Sequence, residues 1–216
     1  MRLIGKITNK DKDGKVRFVS EIYEDADLRV FFTADADIDA DGANGQNGKP
    51  AAYRVGDKGT DALKNADMKI VNGKVVCRSN VGRGIVILDT DNEPKVFPGG
   101  IIASHTWYQY PGTDAGDPAA YVDSETVPYI VVPPLVVQGT TGVVRGCRAR
   151  ATWKGKVIDC AVIDRGPTSK TGELSIAAAR ALGIPSNPRT GGLSEAEVLY
   201  ELWPGHAAPG FVLQPA

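Results

Sequence analysis

The chain has no apolar run approaching the ~20 residues that cross a bilayer as a helix, and Met1 to Tyr23 lack the apolar core of a secretory signal. No membrane span and no targeting segment are expected. Histidine occurs twice, at His105 and His206, and neither has a second ligand or a nucleophile at useful spacing, so both read as structural. Cysteine occurs three times, at Cys77, Cys147 and Cys160, without a C-x-x-C pair, which argues against a zinc site. Cys77 carries no nucleophile motif. Cys147 and Cys160 fall on what read as consecutive strands around a Trp153–Lys156 hairpin, where a cross-strand disulfide and two buried thiols fit equally. Twenty-five Lys and Arg against 26 Asp and Glu leave a net charge of −1 with no basic stripe, so nucleic acid is not an expected partner. Aromatic residues make up 7% without a Trp/Tyr cluster, which leaves a poor planar platform for a purely polymer-binding module.

What is present fits one globular domain spanning residues 1–216. At 42% hydrophobic and 24% charged, the chain is large enough for one substantial core and too ordinary for disorder. Twenty-five glycines and 14 prolines separate short Val/Ile runs at 74–76, 84–88, 129–132, 135–137 and 156–163, the pattern of many short strands joined by turns. Helical signals occur at Glu173–Leu182, closed by Gly183 and Pro185, and at Ser194–Leu202, opened by the capping box Ser194-Glu-Ala-Glu197. A weaker helix is expected at Asp61–Ala66. The class is mainly β.

Two carboxylates stand out within Asp164-Arg165-Gly166-Pro167 to Gly183. The run 161–163 reads as a buried strand that Arg165-Gly-Pro167 stops, which leaves Asp164 at a strand mouth, and Glu173 opens the alanine-rich helix. A short loop between them can point both carboxyl groups into one cleft, as acid/base cleavage of a glycosidic bond requires. An ordinary turn with a surface ion pair, and an acid favoured by a helix dipole, would leave the same trace. Arg165 and Lys170 are placed to hold Asp164 ionised and to contact hydroxyls.

A second acidic stretch, Asp35-Ala-Asp37-Ile-Asp39-Ala-Asp41, alternates with small and apolar residues, so its acids line one face of a strand. A calcium loop opened by Asp37 fails at its twelfth position, which is Gly48 rather than a glutamate. Asp123 and Glu125 share a face just before the 129–132 run and stand as alternatives for the second catalytic carboxylate or as substrate-binding groups. Tyr53 and Tyr121, ahead of Tyr129 and Trp107, are the aromatic faces favoured for sugar rings, although aromatics in a β-rich chain are more often core.

The segment Asp164-Arg-Gly-Pro167, a short loop, then an acidic residue before Leu-Ser and an alanine-rich helix, resembles double-psi β-barrel polysaccharide enzymes such as expansins and septal-ring-type lytic transglycosylases. Those families carry Asp where this chain has Glu173. A narrower resemblance, to the endo-chitosanases of glycoside hydrolase family 75, runs through Asp37-Ile-Asp39-Ala-Asp41-Gly42-Ala43, Ala52-Tyr53, Gly59 to Ala66, Tyr121 to Pro133, Asp164 to Gly183, Asn187 to Gly192 and Val198 to Gly205, covering residues 30–205. It implies a six-stranded double-psi β-barrel core with additional strands and two or three short helices. It also implies cofactor-free, metal-free inverting hydrolysis of β-1,4 bonds in chitosan, with Asp164 and Glu173 as the catalytic pair. In that reading Glu173 protonates the leaving oxygen and Asp164 activates water, the two carboxyl groups about 6.5–9.5 Å apart. Asp37, Asp39, Asp41, Tyr53, Tyr121, Asp123, Glu125, Arg165 and Lys170 would bind a cationic amino-sugar polymer. The substrate would be extracellular and the chain a monomer, with export by a route other than a visible leader or with the leader already removed. The alternatives are a peptidoglycan lytic transglycosylase, for which Glu173 alone would suffice, and a non-catalytic expansin-like module.

Overall fold

The computed structural model describes residues 1–11 and 13–215. In chain order the strands are β1 (Arg2–Lys10), β2 (Val16–Glu24), β3 (Val30–Asp39), β4 (Tyr53–Arg54), β5 (Met68–Val71), β6 (Lys74–Cys77), β7 (Val96–Phe97), β8 (Ile101–Ile102), β9 (Tyr129–Val132), β10 (Cys147–Trp153), β11 (Lys156–Arg165), β12 (Glu173–Ser175) and β13 (Leu193–Ala207). Three short helices punctuate them: α1 (Asn80–Ile85), α2 (Pro134–Gly139) and α3 (Ile176–Leu182). None of the described helices is long and apolar enough to cross a membrane.

Six strands close on themselves in the order β3-β12-β9-β11-β10-β13 and back to β3. Two neighbours in that ring are parallel, β12 with β3 and β9 with β11; the remaining pairings are antiparallel. The β1–β2 hairpin extends the wall outward from β3. This is a mainly β fold with a closed six-stranded barrel, extra strands and short helices, consistent with the double-psi β-barrel expected.

Alternation decides what fills the barrel. Phe32, Ala34 and Ala36 of β3, Ile130 and Val132 of β9, Ala149 and Ala151 of β10, Val162 of β11, Leu174 of β12 and Tyr200 and Leu202 of β13 are buried together. The alanines leave room for the stacked Phe32 and Tyr200 rings, whose centroids are 5.1 Å apart. Ala178, Ala179 and Leu182 of α3 join the same cluster, so the helix covers the barrel with its apolar face. Ser175 caps α3 by accepting from the Ala178 N–H at 3.1 Å, and Gly183 closes it in the left-handed region.

Several local expectations give way here. The segment 194–202 is not a helix but the middle of β13, with Val198, Tyr200 and Leu202 buried in alternation. It pairs with β3 on one side and β10 on the other and so closes the barrel, which outweighs its capping box. The 135–137 run lies in α2, started by Pro134, and 84–88 ends α1 and continues through isolated bridges. Asp61–Ala66 contains only a 3₁₀ turn at Leu63–Ala66. Glu173 opens β12 rather than a helix. All three cysteines are free and buried: Cys160 sits opposite Ala149 and Cys147 opposite Ala207, so no cross-strand disulfide forms.

Candidate active site

The inward alanines of β3 force Asp35, Asp37 and Asp39 onto the outer wall, as the period-two pattern requires. Glu173 lies beside Asp37 in the parallel β12–β3 register and beside Val131 in the antiparallel β12–β9 register. A register shift between Val162 and Asp164 then sets Asp164 opposite the same Val131. Asp37, Glu173, Val131 and Asp164 thus form a line across four neighbouring strands. Glu173 and Asp164 are two strand spacings apart, roughly 9.5 Å between their backbones.

Past the end of β3 the chain curls over this line. Asp39, Asp41 and Asp164 each bring a carboxylate oxygen within 4.8 Å of the others. The Asp41 N–H donates to Asp39 Oδ1 at 2.8 Å, and the Tyr129 hydroxyl donates to the Asp41 carbonyl at 2.9 Å while lying beside the Asp39 carboxyl. The Tyr53 hydroxyl sits 3.3 Å from Asp41 Oδ1 and 3.2 Å from Asp61 Oδ2. Burial raises both the Asp41 and the Asp61 carboxyls above their ordinary range. Asp164 Oδ1 accepts from the Trp107 N–H at 3.2 Å and the Arg165 N–H at 2.6 Å.

Such crowding changes protonation. Burial, then the charges of Asp39, Asp37 and Asp164, push Glu173 up to about 8, against the opposing pull of Lys170. Burial raises Asp39 to about 6, held down by the Asp41 N–H and Tyr129. Burial and then the Asp39 charge raise both Asp41 and Asp164 well above the ordinary carboxylate range. All four groups are half-buried, so water reaches the carboxyl oxygens without fully solvating them. Around pH 7 Asp39 is the readily ionised member and Glu173 carries a proton.

The flanks are organised by ion pairs. Lys170 Nζ lies 3.0 Å from Asp37 Oδ2, and Arg17 Nη1 lies 3.1 Å from Asp35 Oδ2. Asp35 is 2% exposed with Oδ1 unpartnered, and burial followed by the Asp37 charge raises it to about 7. Gly166 is the one place where a glycine shapes the pair directly: a Cβ there would meet Glu173 Oε2 at 2.8 Å.

The remaining expected site residues are dispersed. Tyr53 is buried in a core cluster with Met68 and Ile102, so its ring cannot stack on sugar; only its hydroxyl reaches the acids. Tyr121 is also buried, with its hydroxyl on the Ala115 carbonyl, but one edge borders a cavity beside Asp164. Asp123 caps its own turn through the Glu125 N–H at 3.0 Å and the Thr126 hydroxyl at 3.1 Å, and Glu125 pairs with Arg180 at 2.9 Å. Those carboxyls are engaged by their own turn and by Arg180. Arg165 supports Asp164 through its backbone N–H, while its exposed side chain lies by Trp107. Trp107 is the aromatic face that sequence reasoning underrated: it is half-buried and lines that cavity with His105 and Arg145. Nothing local marks it, because Arg145 and Asp164 reach it from other strands.

Asp39, Asp41 and Asp164 form an all-oxygen set of the kind that hard cations favour, but three side-chain ligands fall short of the six to eight oxygens calcium takes. They do match the three N–H donors of an ammonium group. No protein-family model matches this chain, and no curated protein matches it. Fold and site together define a β-barrel protein with a cluster of carboxylates on its outer wall.

Proposed function

We propose that the chain is an endo-acting glycoside hydrolase cleaving β-1,4 bonds in chitosan by inversion, in keeping with its resemblance to the family 75 chitosanases. The observation that carries the reading is the placement of Glu173 two strand spacings from Asp164 beside the Asp39, Asp41 and Asp164 carboxylates, surroundings that raise the Glu173 carboxyl to about 8. Glu173 donates its proton to the leaving glycosidic oxygen. Asp164 takes a proton from a water molecule, whose oxygen bonds to the anomeric carbon from the opposite face. Solvent then returns a proton to Glu173 and removes one from Asp164.

The trio also accounts for substrate choice. In the free protein burial and the Asp39 charge raise the Asp164 carboxyl, which works against its role as base. An ammonium entering between Asp39, Asp41 and Asp164 offsets that repulsion and favours the ionised carboxylate. A cationic sugar therefore prepares its own base, whereas neutral chitin does not.

The test is incubation of purified protein with chitosan, with anomeric configuration followed by NMR. Inverted reducing glucosamine oligomers are expected, and Asp164→Asn or Glu173→Gln should lower turnover by at least ~10²-fold while the fold survives. Near-normal activity in either variant would sink the pair. Because a single protonated acid also suits a lytic transglycosylase, murein is the control: anhydro-muramyl ends would assign Glu173 alone and overturn the chitosanase reading.

A further inference from the structure

Beside Asp164 opens a cavity of about 370 Å³ lined by His105, Trp107, Gln109, Tyr121, Arg145 and Arg165. It adjoins the carboxylate site, since Asp164 lines it and accepts from the Trp107 backbone N–H. The indole is held rigidly. Arg145 Nη1 donates to the Trp107 carbonyl at 3.1 Å, and the guanidinium carbons of Arg145 and Arg165 lie 5.5 and 5.7 Å from the ring centre.

Charge divides the site at Asp164. Towards β3 a bound chain meets Asp37, Asp39 and Asp41; towards Trp107 it meets two guanidiniums and no carboxylate other than Asp164 itself. His105, tilted against Tyr121 with ring centroids 4.7 Å apart, is held towards its neutral form by burial and adds no negative charge to offset the cations. An ammonium-bearing ring seated there would sit against two like charges in a partly dry pocket. Arg145 in turn commits one N–H of each of its three nitrogens to the Trp107 and Pro215 carbonyls, which limits what it can offer an acidic sugar. What fits is an uncharged ring that lays its C–H face on the indole and offers a neutral carbonyl to Arg165.

We propose that this cavity is a subsite for an N-acetylated, uncharged amino-sugar unit, with Trp107 as its platform and Arg145 and Arg165 excluding glucosamine. The inference rests on the glycosidase reading and deepens it: the substrate is a partially acetylated chain, with charged units over the acidic trio and a neutral unit on Trp107.

Two measurements test it separately. Calorimetric titration at a pH where the amines are charged should show the N-acetylglucosamine trimer binding at least ~10-fold more tightly than the glucosamine trimer. Trp107→Ala should abolish that preference; Trp107→Phe, which keeps a smaller ring, should weaken it, and Arg165→Gln should narrow it by admitting glucosamine. In the second arm, partially acetylated chitosan cleaved by the wild type should carry acetylated units enriched at one of the two new chain ends. Equal affinity for the two trimers, or a preference surviving Trp107→Ala, overturns the subsite. Tighter binding of a muramic-acid disaccharide than of the acetylated trimer overturns it in favour of an acidic-sugar site. Failure to cleave any chitosan would remove the hydrolase reading alone, because the titration decides the subsite without turnover.

Discussion

Glu173 is an acid at neutral pH because of what surrounds it, and two neighbours can be changed one at a time. Gly166 lies flat against it: a methyl there would approach Oε2 to 2.8 Å and Val131 Cγ1 to 3.2 Å. Gly166→Ala should therefore push the carboxyl aside and lower kcat by about 10²-fold, the size of effect a displacement near 1 Å produces. Thermal melting should move little, since Gly166 has no left-handed backbone requirement; unchanged kcat would show that the Glu173 position is not critical. Asp39 acts by charge. After burial, its carboxylate is the largest influence raising Glu173 to about 8. Asp39→Asn removes that charge, so Glu173 should lose its proton at lower pH and the basic limb of kcat/KM should move down. An unmoved limb would assign it to another group. A soluble glucosamine oligomer keeps polymer solubility out of that profile.

At the scale of elements, the alternation of β3 was legible because each inward residue is small or apolar and each outward one acidic, and 129–132 matched β9 residue for residue. The Asp164–Glu173 pair was legible through its strand, turn and acidic-Leu-Ser spacing. Residues 194–202 misled because capping chemistry is local, whereas β13 is fixed by two partners far away in sequence. The same limit hid the approach of Asp41 and Trp107 to Asp164, which depends on barrel closure rather than on neighbouring residues. It also hid what the β1–β2 hairpin does. Buried Asn9 accepts from the Thr171 N–H at 2.9 Å and donates to its hydroxyl at 3.0 Å, while Ser20 meets that hydroxyl at 2.7 Å. This anchors the residue next to Lys170, which pairs with Asp37. Asn9→Ala should leave a buried N–H without its acceptor, lower stability by about 1–3 kcal/mol and raise KM more than it lowers kcat. A variant less stable but with unchanged KM would confine the hairpin to a structural role.

Across the whole molecule, the site leaves a mark on folding itself. Asp39, Asp35 and Glu173 are raised to about 6, 7 and 8, chiefly by burial, whereas unfolded carboxyls titrate near 4. The folded chain thus holds protons that the unfolded chain has released. Stability carried by these groups is complete below about pH 4 and is lost progressively as pH rises through 6 to 8, because the slope of unfolding free energy with pH is negative wherever the native state binds more protons. His105 works in the opposite direction, since its lowered value makes the native state bind fewer protons below its ordinary range. Exposed acids whose values are lowered, such as Asp67, weaken the fold only in stronger acid. Melting temperature should therefore decline between about pH 5 and 8.5 instead of reaching a plateau. Asp35→Asn isolates the effect: it removes a buried carboxyl outside the Asp164–Glu173 pair, so the variant should lose less stability over that window. A glucosamine oligomer should restore part of the wild-type loss by supplying the cation that the carboxylates lack, its stabilising effect growing as pH rises from about 5 to 7, whereas that of N-acetylglucosamine oligomers should not grow with pH. A wild-type curve that is flat from pH 5 to 8.5, or one that Asp35→Asn leaves unchanged, would mean that the wall of acids is solvated well enough to ionise without strain, and the mechanism that relies on a retained proton on Glu173 would lose its physical basis.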